Sequence, residues 1–270
     1  MASAPEQATS EEVLYEVADH VATITINRPE VQNTISGPML DALTECLLRA
    51  NEDQDVRAMV ITGTGKFFCA GLDLRGGGIG GNLSSQNAGP SNLDLRNTPP
   101  TVLHNLDTPT ICALNGSAAG YGMDLALGCD IRIMADSAKL AAAFTARGVL
   151  PESGGTWILP RLLGWSKAAE LIFTGRTLLA DECERLGLVS RVVPAGEALE
   201  TAQALAREIA ANAPLAVQAS KRMMRMGMNE TFNDHVHHVY LQLLPLFQSA
   251  DFKEGMASFL EKRKPDFKGR

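Results

Sequence analysis

The chain is organised around the stretch Asn115-Gly-Ser-Ala-Ala-Gly-Tyr-Gly-Met-Asp124. The apolar segment Pro109–Leu114 before it predicts a short buried strand, and Leu125–Cys129 after it has a composition that suits a helix. Three glycines and three other small residues leave backbone amides free to approach a ligand. Because the first turn of a helix carries unpaired N–H groups and the positive end of the helix dipole, this turn can stabilise an anion or a developing oxyanion.

The carboxylate of Asp124 enters the predicted helix beside these amides. In one interpretation it only complements the dipole, while the glycines let the helix pack on a sheet. In the other it takes part in chemistry at the turn. The spacing alone leaves both interpretations open.

Composition excludes several classes of protein. The 270 residues are 45% apolar and 20% charged, which is typical of a soluble globular protein with a substantial core. A net charge of −7, without a long basic stripe, argues against a nucleic-acid partner. No apolar run approaches the roughly 20 residues that cross a bilayer, so no membrane partner is expected. Residues 1–12 are polar and acidic and predict a loose tail without a signal peptide.

Neither the cysteines nor the histidines predict a metal site or a disulfide framework. Five cysteines without a C-x-x-C pair predict reduced core residues of an intracellular, cytoplasmic protein. His235, His237 and His238 fall in a predicted long helix and are expected on different faces, without a matching set of carboxylates or cysteines. We therefore expect no bound metal.

A glycine-rich segment, residues 76–100, raises the alternative of a nucleotide-binding oxidoreductase. Gly76, Gly78 and Gly81 match the pattern G-x-G-x-x-G, but no strand pattern immediately precedes them and no helical pattern follows. We reject a dinucleotide fingerprint and expect a loop that could cover a pocket.

The order of elements favours α/β layering in residues 13–194, followed by a helical region in residues 195–270. A hairpin is predicted over 13–17 and 21–27, a helix after a cap at Ser36, and a buried strand over 57–63. Further strands are predicted over 110–114 and 130–135. Helices of the second region are predicted over 195–211, 215–227, 232–247 and 252–262.

Several motifs, taken in order, resemble the crotonase superfamily, the enoyl-CoA hydratase/isomerase family. They include Phe67-Phe-Cys-Ala-Gly-Leu-Asp73, the stretch from Asn115 to Asp124, Leu150-Pro-Glu-Ser-Gly-Gly155 and Phe259-Leu-Glu-Lys-Arg-Lys264. The resemblance extends over nearly the whole chain. It implies a crotonase-like (ClpP/crotonase) spiral of β-β-α units, whose C-terminal helices build trimers that often pair into hexamers.

The resemblance also implies a site for an acyl-CoA thioester, with no further cofactor. The amides of Leu72 and Tyr121 would form an oxyanion hole for the thioester carbonyl, and the second of these lies at the helix start described above. Residues implied to contact the CoA or acyl part are Ala70, Gly71, Asp73, Gly120, Phe144, Trp157, Phe259 and Lys262. For Lys262, a solvated basic helix end is the other interpretation.

The carboxylates depart from the pattern of the family's hydratases, which place two glutamates around the double bond. Asp124 fills the first position, and Phe144, which cannot move a proton, aligns with the second. A third position, used by several of the family's isomerases, aligns with Glu152. We therefore expect Glu152 as the main base and acid and Asp124 as an assisting group, although Glu152 could instead complement the dipole of the following helix.

The resulting hypothesis is an enzyme of lipid metabolism that works through a thioester enolate. Two carboxylates favour double-bond isomerisation, and hydration of a 2-enoyl-CoA is the second hypothesis. A protein that binds acyl-CoA without efficient chemistry is the alternative from a different class, because the second glutamate is missing.

Overall fold

The computed structural model describes residues 11–73 and 98–269. Its strands form two sheets. The larger sheet has six strands in the order β1-β2-β3-β5-β7-β10, and the smaller has four in the order β4-β6-β8-β9. The strands are β1 Val13–Ala18, β2 Val21–Ile26, β3 Ala58–Gly63, β4 Phe67–Cys69, β5 Thr110–Leu114, β6 Ser117–Ala119, β7 Ile131–Ala135, β8 Lys139–Ala141, β9 Thr177–Leu179 and β10 Arg191–Val193.

The predicted β-β-α repeat is visible in how consecutive strands divide between the sheets. The pairs β3/β4, β5/β6 and β7/β8 each send the first strand to the large sheet and the second to the small one. Strands from β2 to β10 of the large sheet run parallel, and β1 pairs antiparallel with β2 as the hairpin pattern predicted. The β3–β5 and β5–β7 neighbours are thus reached by crossover connections, which gives the spiral.

Helices surround the two sheets. They are α1 Gly37–Glu52, α2 Pro99–Asn105, α3 Tyr121–Gly128, α4 Gly155–Leu163, α5 Trp165–Thr174, α6 Ala180–Arg185, α7 Ala198–Ala210, α8 Pro214–Gly227, α9 Phe232–Gln248 and α10 Ala250–Glu261. Short 3₁₀ turns cover Pro29–Val31 and Thr145–Arg147. The predicted cap at Ser36 precedes α1, but its side chain makes no capping hydrogen bond.

The core lies between the large sheet and the helices that cover it. Every residue of β3 and β5 is buried, which explains their continuous apolar runs. Helix α7 packs on β2, β3, β5 and β7, and its buried residues Ala202, Ala206 and Ala210 let its backbone approach the sheet closely. The five cysteines are buried and none of them forms a disulfide, as predicted.

The C-terminal helices expose an unusually apolar surface. Helix α9 has no buried residue over its 17 positions. Large apolar side chains that α9 exposes are Phe232, Val236, Val239, Tyr240, Leu241, Leu243, Leu244 and Phe247. Asp107 joins these helices to the core through Arg222 and Arg225 of α8, at 2.5 and 3.2 Å.

Part of the glycine-rich segment lies outside the described residues. The G-x-G-x-x-G match and the expected pocket-covering loop fall there up to residue 97. No helix within the described ranges is long and apolar enough to span a bilayer.

Candidate active site

A cavity of about 410 Å³ lies where the organising stretch meets the segment after β4. Two of its walls come from the sequence motifs described above, and a third comes from residues 143–152. The predicted residues that line it are Ala70, Gly71, Leu72, Asp73, Gly120, Tyr121, Phe144 and Glu152. Sequence reasoning missed the other lining residues, which are Glu30, Val31, Gln32, Thr34, Ala119, Ala143, Arg147 and Val149.

Hydrogen bonds hold the segment after β4 in an orientation that leaves the N–H of Leu72 without an acceptor among the described residues. Ala70 N donates to Gln32 O at 3.1 Å, and Asp73 N donates to Ile35 O at 2.9 Å. Leu72 and Ile35 form an isolated parallel bridge. Because consecutive amides of an extended chain point in opposite directions, the amide of Leu72 points away from Ile35. It donates no hydrogen bond to any other described residue.

Two asparagines, Asn33 buried and Asn115 half-buried, fix the turn that positions this segment. Asn33 Nδ2 donates to Thr64 O at 2.9 Å and to Phe67 O at 2.7 Å. Asn115 Oδ1 accepts from Gly63 N at 3.0 Å, and its Nδ2 donates to Gly65 O at the same distance. The sequence signal for Asn33 is its place just after Arg28-Pro29, in a turn where its φ of 56° suits asparagine better than most residues.

The second amide belongs to Tyr121, the first residue of α3. Gly120 precedes it with a φ of 53° and a ψ of −123°, so the helix begins there, four residues earlier than the composition of residues 125–129 indicated. In the first helical turn the N–H of Tyr121 has no intrahelical acceptor, and no other described residue accepts from it.

Glycines bring the two amide-bearing segments together. A Cβ added at Gly122 would lie 2.1 Å from Cys69 O, so only glycine permits this approach of α3 to β4. A Cβ added at Gly71 would lie 3.9 Å from Tyr121 N, which measures how close the two segments are. The site can therefore hold an anionic oxygen between two main-chain donors at the positive end of a helix.

Glu152 supplies a carboxyl group to the same cavity. It precedes α4 and is half-buried. Burial raises the pKa of the Glu152 carboxyl above its ordinary value. A carboxyl whose pKa lies closer to neutrality takes and returns protons more readily than a fully solvated one.

Residues 152–154 form a turn that carries Glu152. Asp124 contacts this turn through the Ser153 amide and does not line the cavity. It is fully buried, and its Oδ2 accepts a hydrogen bond from Ser153 N at 3.2 Å. Burial, with a smaller contribution from the charge of Glu152, raises the pKa of Asp124 to about 7. A Cβ added at Gly155 would lie 2.3 Å from Asp124 Oδ1, so this glycine makes room for the carboxyl group.

Phe144 and Asp73 shape the remaining walls. Phe144 is buried and gives the cavity an apolar surface. Asp73 forms an ion pair with Arg28 at 3.3 Å. Arg28 also pairs with Glu12, at 3.1 Å, so one guanidinium serves both carboxylates.

Three predicted contact residues lie elsewhere in this chain. Trp157 lines a different cavity of about 890 Å³ between α4 and α8, where it contacts the His104 ring and the Arg161 guanidinium. Phe259 and Lys262, on and just after α10, are exposed and do not line the 410 Å³ cavity either. One copy of the chain therefore does not bring these three residues to the cavity.

The histidine cluster is arranged differently from the expectation. His235 and His238 both place Nδ1 near the carboxylate of Glu230, at 3.1 and 2.9 Å, so these two share a face of α9 and a carboxylate partner. The spacing of three residues, nearly one helical turn, accounts for this. Within residues 11–73 and 98–269 no group of three or more metal-ligating side chains could hold a metal ion.

The model of the family described as enoyl-CoA hydratase/isomerase matches residues 16–270. The chain belongs to this family. It is 37% identical to the 1,2-epoxyphenylacetyl-CoA isomerase of Escherichia coli, with 96% of this chain and 98% of that protein covered. It is 35% identical to the short-chain-enoyl-CoA hydratase of Clostridium acetobutylicum, over 96% of this chain and 98% of that protein.

Solved structures of family members have the same fold. The enoyl-CoA hydratase of Bacillus anthracis aligns with a TM-score of 0.87 at 34% identity, covering 96% of this chain and all of that one. The Streptomyces coelicolor protein described as a putative enoyl-CoA hydratase aligns with a TM-score of 0.89 at 32% identity, covering 100% of this chain and 98% of that one. The predicted crotonase-like fold and an enzyme of the hydratase/isomerase type are confirmed. Hydratase and isomerase both occur in the names of the relatives, so the names do not assign this chain to either class.

Proposed function

We propose that this member of the enoyl-CoA hydratase/isomerase family moves the double bond of an enoyl-CoA thioester. The observation that carries the proposal is the 410 Å³ cavity in which two unpartnered amides, of Leu72 and Tyr121, and the carboxyl group of Glu152 come together. The amides bind the thioester oxygen, and the carboxyl group reaches the neighbouring carbons. Loss of one such donor typically lowers the rate by about 10²–10³.

The chemistry needs one base that also acts as an acid. The Glu152 carboxylate removes a proton from C2 of a 3-enoyl-CoA, and the electron pair moves into a dienolate whose charge rests on the thioester oxygen. Glu152 then returns the proton to C4, and the electrons shift back to give the 2-enoyl-CoA. The raised pKa of Glu152 suits both steps, because the carboxylate is a stronger base toward the C2 proton and the carboxyl group still donates a proton to C4.

In this proposal Asp124 does not contact the substrate. It assists the reaction by holding the turn of residues 152–154, which carries Glu152. Its carboxyl group accepts from the Ser153 amide, next to Glu152. This bond fixes the direction in which Glu152 leaves the turn. Asp124 therefore acts in this proposal as a positioning residue.

Hydration is the second candidate, and the hydratase names of several relatives favour it. A water molecule activated by Glu152 would attack C3 of a 2-enoyl-CoA. The buried phenyl ring of Phe144 disfavours this reaction, because it offers no second acid or base beside the double bond. Isomerisation needs only one shuttling carboxyl group and is therefore preferred.

Incubation with 3-enoyl-CoA and, separately, 2-enoyl-CoA in deuterated water tests the proposal. We expect interconversion of the two alkenes with deuterium at C2 or C4 and the double bond retained. Loss of the enoyl absorbance with formation of a 3-hydroxyacyl-CoA would instead establish hydration. Tight binding of acyl-CoA without turnover or deuterium exchange over a broad set of chains would favour the alternative of a binding protein.

Assembly and location complete the proposal. The apolar face of α9 is larger than isolated surface residues explain and supports a homo-oligomer, a trimer or a pair of trimers, built through residues 195–270. The proposed steps need no cofactor beyond the CoA of the substrate. The buried cysteines, none of which forms a disulfide, support a reducing, cytoplasmic location.

A further inference from the structure

Among the described residues that line the active-site cavity, Arg147 is the one cation. The charged lining residues are Glu30, Asp73, Arg147 and Glu152. Asp73 is paired with Arg28, at 3.3 Å, a cation that it shares with Glu12. Glu30 lies on the wall formed by residues 30–34, and Arg147 lies on the wall formed by residues 143–152. The proposed reaction uses Glu152 and leaves Arg147 without a role.

Most N–H donors of the Arg147 guanidinium make no hydrogen bond within the described part of the chain. Its Nη1 donates to Ala143 O at 2.7 Å, and no carboxylate in the described part of the chain forms an ion pair with it. A guanidinium has five N–H donors in a planar fork, which matches the two oxygens of a carboxylate. Most of the donors of Arg147 are therefore available to a ligand that enters the cavity.

Local backbone geometry directs Arg147 to the cavity. It is the last residue of the 3₁₀ turn Thr145–Arg147, and Gly148 follows with a φ of 74°. That left-handed residue reverses the chain, so that Phe144, Arg147 and Val149 all line the same cavity. The side chain is exposed, which places it at the mouth of the cavity and not in its interior.

The position of Arg147 along the substrate follows from the proposed reaction. The thioester carbonyl lies between the amides of Leu72 and Tyr121, and the carbons that exchange protons lie toward Glu152. Arg147 belongs to the same wall as Glu152, whereas residues 30–34 form the wall beside the Leu72 segment. An acyl group that runs along the wall shared by Glu152 and Arg147 passes Arg147, and the CoA part then lies on the side of residues 30–34.

We propose that Arg147 binds a carboxylate at the far end of the acyl group, so that the preferred substrates are CoA thioesters of dicarboxylic acids. The inference rests on the proposed function, because that function sets the direction of the acyl chain. Arg147 acts as a specificity-determining residue and does not take part in proton transfer. Because the side chain is exposed to solvent, the expected preference is moderate, about tenfold in affinity.

Calorimetry with two saturated thioesters of equal chain length, glutaryl-CoA and pentanoyl-CoA, tests this inference without requiring turnover. The wild-type chain should bind glutaryl-CoA about tenfold more tightly. Arg147→Met should abolish this preference and leave the affinity for pentanoyl-CoA unchanged, and Arg147→Lys should retain part of it. Arg161→Met is the matched control, since Arg161 is an exposed arginine stacked on Trp157 outside this cavity.

The other outcomes separate the two proposals. Equal weakening of glutaryl-CoA, pentanoyl-CoA and free CoA in Arg147→Met would mean that Arg147 binds a CoA phosphate, and the inference would be wrong. An unchanged preference in Arg147→Met would also overturn it. If the wild-type chain binds neither thioester, the proposed function itself fails. Binding of pentanoyl-CoA with no preference for glutaryl-CoA leaves the proposed function intact and rejects only the role of Arg147.

Discussion

The cavity wall and the layer directly beneath it each contain a carboxyl group, and the short turn Glu152–Gly155 separates the two. Glu152 faces the cavity and is half-buried, whereas Asp124 is fully buried below and accepts from the Ser153 amide. Burial raises the pKa of both groups. The comparison teaches that a raised pKa does not by itself identify the group that touches the substrate. Access to the cavity distinguishes them.

The largest expected effect is on catalysis, from Glu152→Gln. An amide cannot take the proton from C2, so the isomerisation rate should fall by about 10²–10⁴. Single-turnover kinetics with 3-enoyl-CoA measures this loss. Glu30→Gln changes a carboxylate to an amide on the opposite wall of the same cavity and should retain most of the activity. Equal losses in both variants would mean that the cavity charge matters and that Glu152 has no special role.

An intermediate effect is expected on stability, from Asp124→Asn. The pKa of Asp124 is about 7 in the folded chain against 3.8 for an ordinary aspartate, so the folded state binds more protons between these values. The free energy of unfolding in the wild type should therefore decrease as pH rises from about 4 to 7, by at most about 1.4 kcal/mol per pH unit for this group. Asp124→Asn removes this contribution.

Urea denaturation at several pH values, followed by circular dichroism, measures the slope. Asp136→Asn makes the same substitution at an exposed aspartate and is the matched control. Glu152 contributes a slope of the same sign, so Asp124→Asn should flatten the profile without abolishing it. A profile in Asp124→Asn that matches the wild type would contradict a buried, neutral Asp124 at low pH.

The smallest expected effect comes from Gly155→Ala. The added Cβ would lie 2.3 Å from Asp124 Oδ1 and 2.9 Å from Pro151 Cβ. The Asp124 carboxyl group would have to move, at a cost of about 1–3 kcal/mol in the free energy of unfolding. Gly37→Ala serves as the control, since a Cβ there meets nothing within 4 Å. If Gly155→Ala and Gly37→Ala have the same free energy of unfolding, the turn accommodates the added Cβ at little cost and does not hold Asp124 in place.

Much of the fold could be predicted from local pattern. The alternation in residues 13–17 and 21–27 predicted the hairpin, and the apolar runs of residues 57–63 and 110–114 predicted two buried strands. The structure shows these two strands to be parallel neighbours. The ends of elements were harder, because they depend on single backbone conformations. Helix α3 begins at Tyr121 because Gly120 adopts a left-handed φ, and composition does not reveal that choice.

The candidate site could be predicted in part. Leu72, Tyr121 and Glu152 belong to local motifs, and the structure brings all three to one cavity. Trp157, Phe259 and Lys262 do not line it, since the side chain of Trp157 packs between α4 and α8 and the other two lie exposed at the end of α10. Arg147 was missed because no short motif marks it, and only the reversal at Gly148 turns it toward the cavity.

The sequence by itself determined the strand and helix pattern and the small-residue turn before Asp124, because these depend on residue types at short spacing. Its resemblance to the enoyl-CoA hydratase/isomerase family implied the β-β-α spiral and the second amide, that of Leu72. Only the tertiary structure decided that Glu152 faces the cavity while Asp124 lies beneath it. The two residues are 28 positions apart in sequence and meet at one turn. Which of them reaches solvent depends on how α3 packs against the start of α4, and no local pattern encodes that packing.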